Sequence, residues 1–184
     1  MAVFNTTEVI EKSKFNKFHA LILFWCTFII ILDGYDLAVY GAVLPILIEE
    51  WGLTSLEAGA MGSYGLIGVM FGAIFFGPLA DRIGRKNVIF ICFILFSIFT
   101  GLCGIAHSPT AFSTYRFIAG LGLGGIMPNV IALMTDYSPK SMRSLTVAIV
   151  LCGYSIGGML APALSIYMMP SFGWEIVYIV AAFP

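Results

Sequence analysis

The chain contains 184 residues, of which 60% are hydrophobic and 10% are charged, with a formal net charge of −1. Soluble domains carry about 25% charged residues, so this composition argues against a soluble domain and predicts packed membrane helices. The nine Lys and Arg residues form short clusters and no basic face, which gives no support to nucleic acid as a partner.

Five apolar segments follow a polar tail at residues 1–19, and each is near or above the roughly 20 residues that a bilayer requires. They lie at about residues 20–48, 56–79, 87–106, 110–135 and 144–169. A partial sixth segment at residues 174–184 is too short to cross. The predicted fold is an all-α polytopic membrane protein in which residues 20–184 form one transmembrane bundle.

The basic residues predict the orientation of this bundle. Connections on the cytoplasmic side of a membrane are enriched in Lys and Arg, and here every second connection lacks them. The pattern predicts a multi-pass protein of the cell (inner or plasma) membrane, in contact with its lipids and with a cytoplasmic N-terminus. The eight residues on the predicted cytoplasmic side are Lys12, Lys14, Lys17, Arg82, Arg85, Lys86, Lys140 and Arg143.

Three ionisable side chains lie within the predicted spans. Asp33 and Asp36 are three residues apart in the first span and share one helix face, and Arg116 lies in the fourth. A carboxylate at the centre of a membrane helix costs roughly 2.5–3.5 kcal/mol on insertion scales, so this face must point at a polar cavity or a partner. Asp36 is the outer carboxylate and Arg116 lies outward of mid-span, so we expect Asp36 to pair with Arg116 ahead of Asp33.

Arg116 requires an anion, which is either a carboxylate of the protein or that of a substrate. A site that alternates between these two anions would couple substrate binding to protonation of the carboxylate. The alternative interpretation is a static ion pair that holds the first and fourth spans together.

For neither of two glycine patterns is ligand binding the favoured interpretation. Residues 120–125 match the GxGxxG pattern of dinucleotide-binding turns but lie in an apolar helix without a preceding strand, so we reject that function. No catalytic constellation or metal-ligand spacing occurs, so we expect no enzyme activity, no cofactor and no metal. The second span carries a stripe of small residues that predicts close approach of another helix. This stripe consists of Gly59, Gly62, Gly65, Gly68 and Gly72.

The segment between the second and third spans reads GPLADRIGRK, from Gly77 to Lys86. It resembles the GxLaDRxGRK signature of the major facilitator superfamily, in which this segment is a cytoplasmic gate. The resemblance implies gate roles for Gly77, Asp81, Arg82, Gly84, Arg85 and Lys86.

Two further segments resemble elements of the same superfamily. RFIAGLGLG, which starts at Arg116, is similar to the RxxxGxGxG element of the fourth helix, which is associated with proton coupling. DYSPKSMR, from Asp136 to Arg143, is similar to the charged loop that follows that helix. The resemblance implies that Asp136 and Arg143 belong to the cytoplasmic gate and that Asp136 contacts Arg85 in the outward-open state.

The DGYD sequence at residues 33–36 resembles the DGxD motif of the aromatic acid:proton symporters, and GGIMPN at 124–129 agrees with that group. The resemblance implies functional roles for Asp33, Asp36 and Asp81. It also implies import of a small organic anion such as benzoate or hydroxybenzoate together with protons. Tyr35 and Tyr40 would then offer hydroxyls and ring faces to the ligand, or else line a helix interface.

Members of this superfamily have twelve spans in two six-helix halves, with the substrate site between the halves. The chain therefore resembles the N-terminal half, with five full spans and a truncated sixth, and its expected partner is the missing C-terminal six-helix half. Two alternatives remain open: a truncated, non-transporting membrane polypeptide, and a major facilitator carrier of another organic anion or a sugar acid.

Overall fold

A computed structural model describes residues 15–182 of the chain, which form six α-helices and contain no strand. The first five are long and apolar enough to cross a membrane, and the sixth is short, as the sequence predicted. The helices are α1 (Lys17–Trp51), α2 (Ser55–Ile83), α3 (Arg85–Cys103), α4 (Pro109–Tyr137), α5 (Arg143–Phe172) and α6 (Glu175–Ala182).

Local capping explains where α1 begins. The Asn16 side chain accepts hydrogen bonds from the backbone N–H groups of Phe18 and His19, and His19 Nδ1 accepts one from the Asn16 N–H. This capping box satisfies backbone groups at the helix end, so α1 already includes Lys17, which the sequence placed in the polar tail. Residues 1–14 of that tail, with Lys12 and Lys14, lie outside the described residues, as do residues 183–184.

A single residue separates α2 from α3. Gly84 has a φ of +90°, a conformation that side chains with a Cβ rarely adopt. The segment that the sequence treated as a link is therefore mostly helical: residues 77–83 complete α2 and residues 85–86 begin α3.

Glycines allow α2 and α4 to pack backbone against backbone. A Cβ added to Gly68 or Gly72 would collide with carbonyl oxygens of α4, and one added to Gly120 or Gly124 would collide with carbonyl oxygens of α2. The GxGxxG pattern thus lies inside a helix, as predicted, and its glycines serve packing there. The predicted stripe is wrong at Gly59, where an added Cβ would meet nothing within 4 Å.

A second close-packed pair is formed by α1 and α5. A Cβ added to Gly157 would collide with the carbonyl oxygen of Ile31, and one added to Gly34 would collide with that of Tyr154. The two pairs, α1 with α5 and α2 with α4, meet mainly through α1 and α4. Helix α3 packs on α4 against Gly122 and Gly125 through Cys92 and its neighbours. The fold thus consists of two tight helix pairs with α3 and α6 alongside.

Large apolar side chains are exposed on several helices, including Phe75, Met159 and Tyr167. A water-soluble monomer rarely exposes so much contiguous apolar surface. This surface fits a bundle whose outer faces contact lipid or further helices.

Gly124→Ala should destabilise the 184-residue chain, since the new methyl group would overlap the Val69 carbonyl oxygen and force α2 and α4 apart. Overpacking of this kind costs about 1–3 kcal/mol. The measurement is thermal unfolding in detergent, with Gly158→Ala as the matched control because a Cβ there meets nothing within 4 Å. Equal melting temperatures for the two variants would contradict the close packing of α2 and α4.

Candidate functional site

Asp36 and Arg116 form an ion pair inside the helix bundle. Asp36 Oδ2 lies 2.7 Å from Arg116 Nη1, and the two side chains are only 3% and 6% exposed. Thr100 Oγ1 of α3 also donates to Asp36 Oδ1, at 3.4 Å. The contact that the sequence favoured is therefore present and joins α1, α3 and α4, while its function stays a prediction.

Asp33 is not part of this ion pair. It is half-buried on α1, and within residues 15–182 it makes no hydrogen bond or salt bridge. One carboxylate of the DGYD sequence thus neutralises Arg116, and the other has no partner in the described chain.

The two tyrosines that the sequence singled out have different surroundings. Tyr35 is buried, and its hydroxyl donates to the Val177 carbonyl oxygen of α6 at 3.1 Å. These surroundings fit the second of the two expectations for Tyr35, a position in a helix interface, because one face of α1 is covered by α6. The functional role of Tyr35 stays a prediction. Tyr40 lies beside the ion pair: its ring centroid is 5.4 Å from Arg116 Cζ, a distance that allows a cation–π interaction.

A cavity of about 260 Å³ opens next to the ion pair, between α1, α2 and α4. Asp36, Tyr40 and Arg116 form its polar side, and α2 contributes a wall of small residues. These residues are Gly59, Gly62, Ser63 and Gly65. The sequence interpretation assigned the α2 glycines to packing and missed this wall; the signal was Ser63, a polar residue within the glycine stripe.

Donors of Arg116 remain free on the α2 side of the guanidinium. Asp36 is the only described residue that accepts a hydrogen bond from Arg116, and the buried Nε atom has no acceptor. A buried donor without a partner costs about 1–3 kcal/mol. The arrangement can therefore bind another acceptor, and a carboxylate matches a guanidinium best.

The residues of the predicted gate lie where α2, α3 and α4 meet. Arg85 Nε is 3.0 Å from Asp136 Oδ2, with side chains 36% and 53% exposed, so the expected contact of these two residues is present. Exposed pairs contribute only about 0.2–1 kcal/mol, which leaves this one easy to break. A cavity of about 390 Å³ is lined here by Asp81, Gly84, Arg85, Lys86 and Asp136.

Three other predicted gate residues do not line this cavity. Gly77 and Arg82 are helical positions of α2, and Arg143 is the first residue of α5. Within the described residues, no group of three His, Cys, Asp or Glu side chains could hold a metal ion.

The fold and the site together define a polytopic membrane protein whose helix bundle contains a buried ion pair beside a small cavity. Residues 26–184 match the sequence profile of one protein family, the Major Facilitator Superfamily. The chain belongs to the major facilitator superfamily.

Several curated proteins are similar in sequence to the chain over almost its whole length. The chain is 46% identical over 185 residues to the benzoate transport protein of Acinetobacter baylyi, covering 98% of this chain and 40% of the relative. It is 40% identical to the gentisate transporter of Corynebacterium glutamicum, covering 98% and 42%. It is 34% identical to the 4-hydroxybenzoate transporter of A. baylyi, covering 93% and 37%. The chain thus spans about 40% of the length of these relatives and corresponds to their N-terminal half.

Solved structures agree with the fold. The proton:xylose symporter XylE, bound to 6-bromo-6-deoxy-D-glucose, superimposes with a TM-score of 0.80 at 19% identity, over 90% of this chain and 42% of XylE. At this identity the likeness shows the fold alone. The architecture is therefore the N-terminal half of a major facilitator fold, with five spans and a short sixth helix.

Asp36→Ala should destabilise the chain by about 3–5 kcal/mol, because Arg116 would remain buried without a counter-charge. The double variant Asp36→Ala/Arg116→Met should recover most of that loss. Unfolding in detergent measures both effects. Asp81→Ala, which removes an exposed carboxylate, should stay within about 0.5 kcal/mol of the wild type. Additive losses in the double variant would show that the pair is not coupled.

Proposed function

We propose that the chain is the N-terminal half of a proton-coupled symporter that carries an aromatic carboxylate such as benzoate or hydroxybenzoate. The observation that carries this proposal is the buried Asp36–Arg116 pair with free guanidinium donors beside a cavity. The names of the relatives, which transport benzoate, gentisate and 4-hydroxybenzoate, support the aromatic class.

The cavity suits a ligand with one ring. Its volume of about 260 Å³ lies just below the range of about 300–1,000 Å³ that is typical of pockets for drug-sized ligands. Arg116 supplies a fixed positive charge, since a guanidinium stays protonated at any relevant pH. Tyr40 packs on Gly62 of α2, and its ring and the other small residues of α2 offer apolar surface to an aromatic ring.

The charge balance supports coupling to protons. Asp36 and Arg116 are together neutral, so a substrate carboxylate adds one uncompensated negative charge to a buried site. Two unit charges about 4 Å apart interact by about 4 kcal/mol at an effective dielectric constant of 20. A proton that enters with the substrate removes this penalty, and Asp33 and Asp36 are the carboxylates that can accept it.

The remaining predicted roles follow from membership of the family. Asp81, Arg85 and Asp136 would form a gate on the cytoplasmic side of the cell membrane. Gly77, Arg82, Gly84, Lys86 and Arg143 would support that gate. The relatives are more than twice as long as the chain, and a second six-helix half would complete the binding site and the gate.

A carrier of a different organic anion is the second candidate, because the niacin transporter of A. baylyi is also 33% identical to the chain. Niacin and benzoate both combine a flat ring with a carboxylate, and a guanidinium binds both. Competition for uptake by a panel of acids, including sugar acids, separates these substrate classes.

Uptake of labelled benzoate tests the proposal in a chimera that joins residues 1–184 to the remaining C-terminal part of the A. baylyi benzoate transport protein. Asp36→Asn should lower proton-driven uptake by roughly tenfold or more, because a charge-assisted hydrogen bond contributes about 1.5–3 kcal/mol. Asp33→Asn should weaken the dependence on the proton gradient. Glu49→Gln, an exposed substitution outside the cavity, is the control. Undiminished proton-driven uptake by Asp36→Asn would remove the coupling role.

Labelling with a membrane-impermeant maleimide tests the proposed orientation. In a Cys152→Ser background, which removes the exposed native cysteine, Lys86→Cys should react only when the inner face of the membrane is accessible. Glu49→Cys, at the opposite end of the spans, should react in intact cells. The reverse pattern would contradict a cytoplasmic N-terminus.

A further inference from the structure

We propose that Arg116 binds two anions at once. Asp36 stays on Nη1, and the substrate carboxylate takes the Nε and Nη2 donors on the side that faces α2. The aromatic ring then lies against the small-residue wall of α2. This inference rests on the proposed function for the aromatic class of substrate, and it adds where the ligand sits and what happens to the ion pair.

The first support is the incomplete hydrogen bonding of a nearly fully buried guanidinium. Arg116 is 6% exposed, and in the described chain only Nη1 has an acceptor, the Asp36 carboxylate. Nε is enclosed and has no partner. Because buried donors are almost always paired, an unpaired Nε next to a cavity indicates that an acceptor is missing from this side.

The second support is the space beside these donors. A Cβ built on Gly65 would lie 3.5 Å from Nε and 3.6 Å from Nη2, and no atom would be closer. Gly65 therefore leaves a space of about the size of a methyl group against the unpaired donors. Any larger residue at this position would cover them, whereas the Nη1–Asp36 contact lies toward α1.

The third support is the wall that continues from Gly65 along α2. Gly59 and Gly62 lie on the same cavity, and a Cβ on Gly59 would meet nothing within 4 Å. Tyr40 packs directly on this wall: its hydroxyl donates to the Ala58 carbonyl oxygen at 2.5 Å, and a Cβ on Gly62 would lie 2.7 Å from its ring. Tyr40 is thus a positioning residue: it packs on the guanidinium and on Gly62, and it borders the cavity.

The inference distinguishes two mechanisms. If the substrate displaced Asp36, the freed carboxylate would be the group that takes the proton. If Asp36 stays bound, the pair survives and the added charge must be balanced elsewhere. Asp33, on the same helix and without a partner within residues 15–182, is then the proton acceptor.

Binding of 4-fluorobenzoate to the purified chimera in nanodiscs tests this inference by ¹⁹F NMR line broadening, because a second six-helix half would complete the binding site. Gly65→Ala should weaken binding at least tenfold, because its methyl group covers Nε and Nη2. Gly158→Ala, the same substitution at an open position outside the cavity, should change the affinity less than twofold. Unlabelled benzoate should compete, and glucuronate should not.

Gly59→Val provides a second variant in case Gly65→Ala fails to fold, since an added side chain there fills cavity space without a clash. It should weaken binding of ring-substituted acids such as 3,4,5-trihydroxybenzoate at least fivefold more than binding of benzoate. Unchanged affinity in both variants, or no binding to the wild-type chimera, overturns the two-anion site. The uptake experiment with the chimera decides the proposed function separately, so the two failures are distinguishable.

Discussion

The ion pair between Asp36 and Arg116 is the constraint on which the rest of the structure depends. Each charge alone would be costly inside a membrane, and each is tolerated because the other lies 2.7 Å away. Asp36 neutralises the charge of Arg116 but does not fill its hydrogen-bonding capacity, because Arg116 has five donor hydrogens and one carboxylate cannot accept them all. The pair is therefore neutral, but donors of Arg116 still lack acceptors, and a ligand can supply them.

The glycines determine how close the helices come to this pair. Gly68 and Gly72 bring α2 against the backbone of α4, and this contact is too tight for any side chain. Towards Gly59 the same stripe meets open space, so the two helices separate and the cavity begins. One sequence pattern thus supports packing along part of its length and lines a cavity along the rest.

The number of spans, the buried pair and the helical position of the GxGxxG segment could be predicted from sequence, because length, hydropathy and charge are properties of single segments. The surroundings of Tyr35 could be predicted only as two alternatives, because they depend on which face of α1 is covered by α6. The sequence did not predict that α1 begins at Lys17, since His19 is an unusual partner in a capping box. The cavity wall was missed because the Gly59 and Gly68 positions look alike until the angle between α2 and α4 is known.

The ion pair lies at the boundary between two groups of helices, so a change in its charge can affect how these groups pack against each other. The structure contains two close-packed helix pairs, α1 with α5 and α2 with α4, and Asp36 and Arg116 lie on opposite sides of the boundary between them. Packed interfaces of this kind change between discrete arrangements more readily than they deform. A proton or a substrate anion that alters the charge at this boundary therefore acts on the contact between two rigid units. In a transporter whose halves rock around a central site, such a contact is where binding energy can be converted into a change of shape.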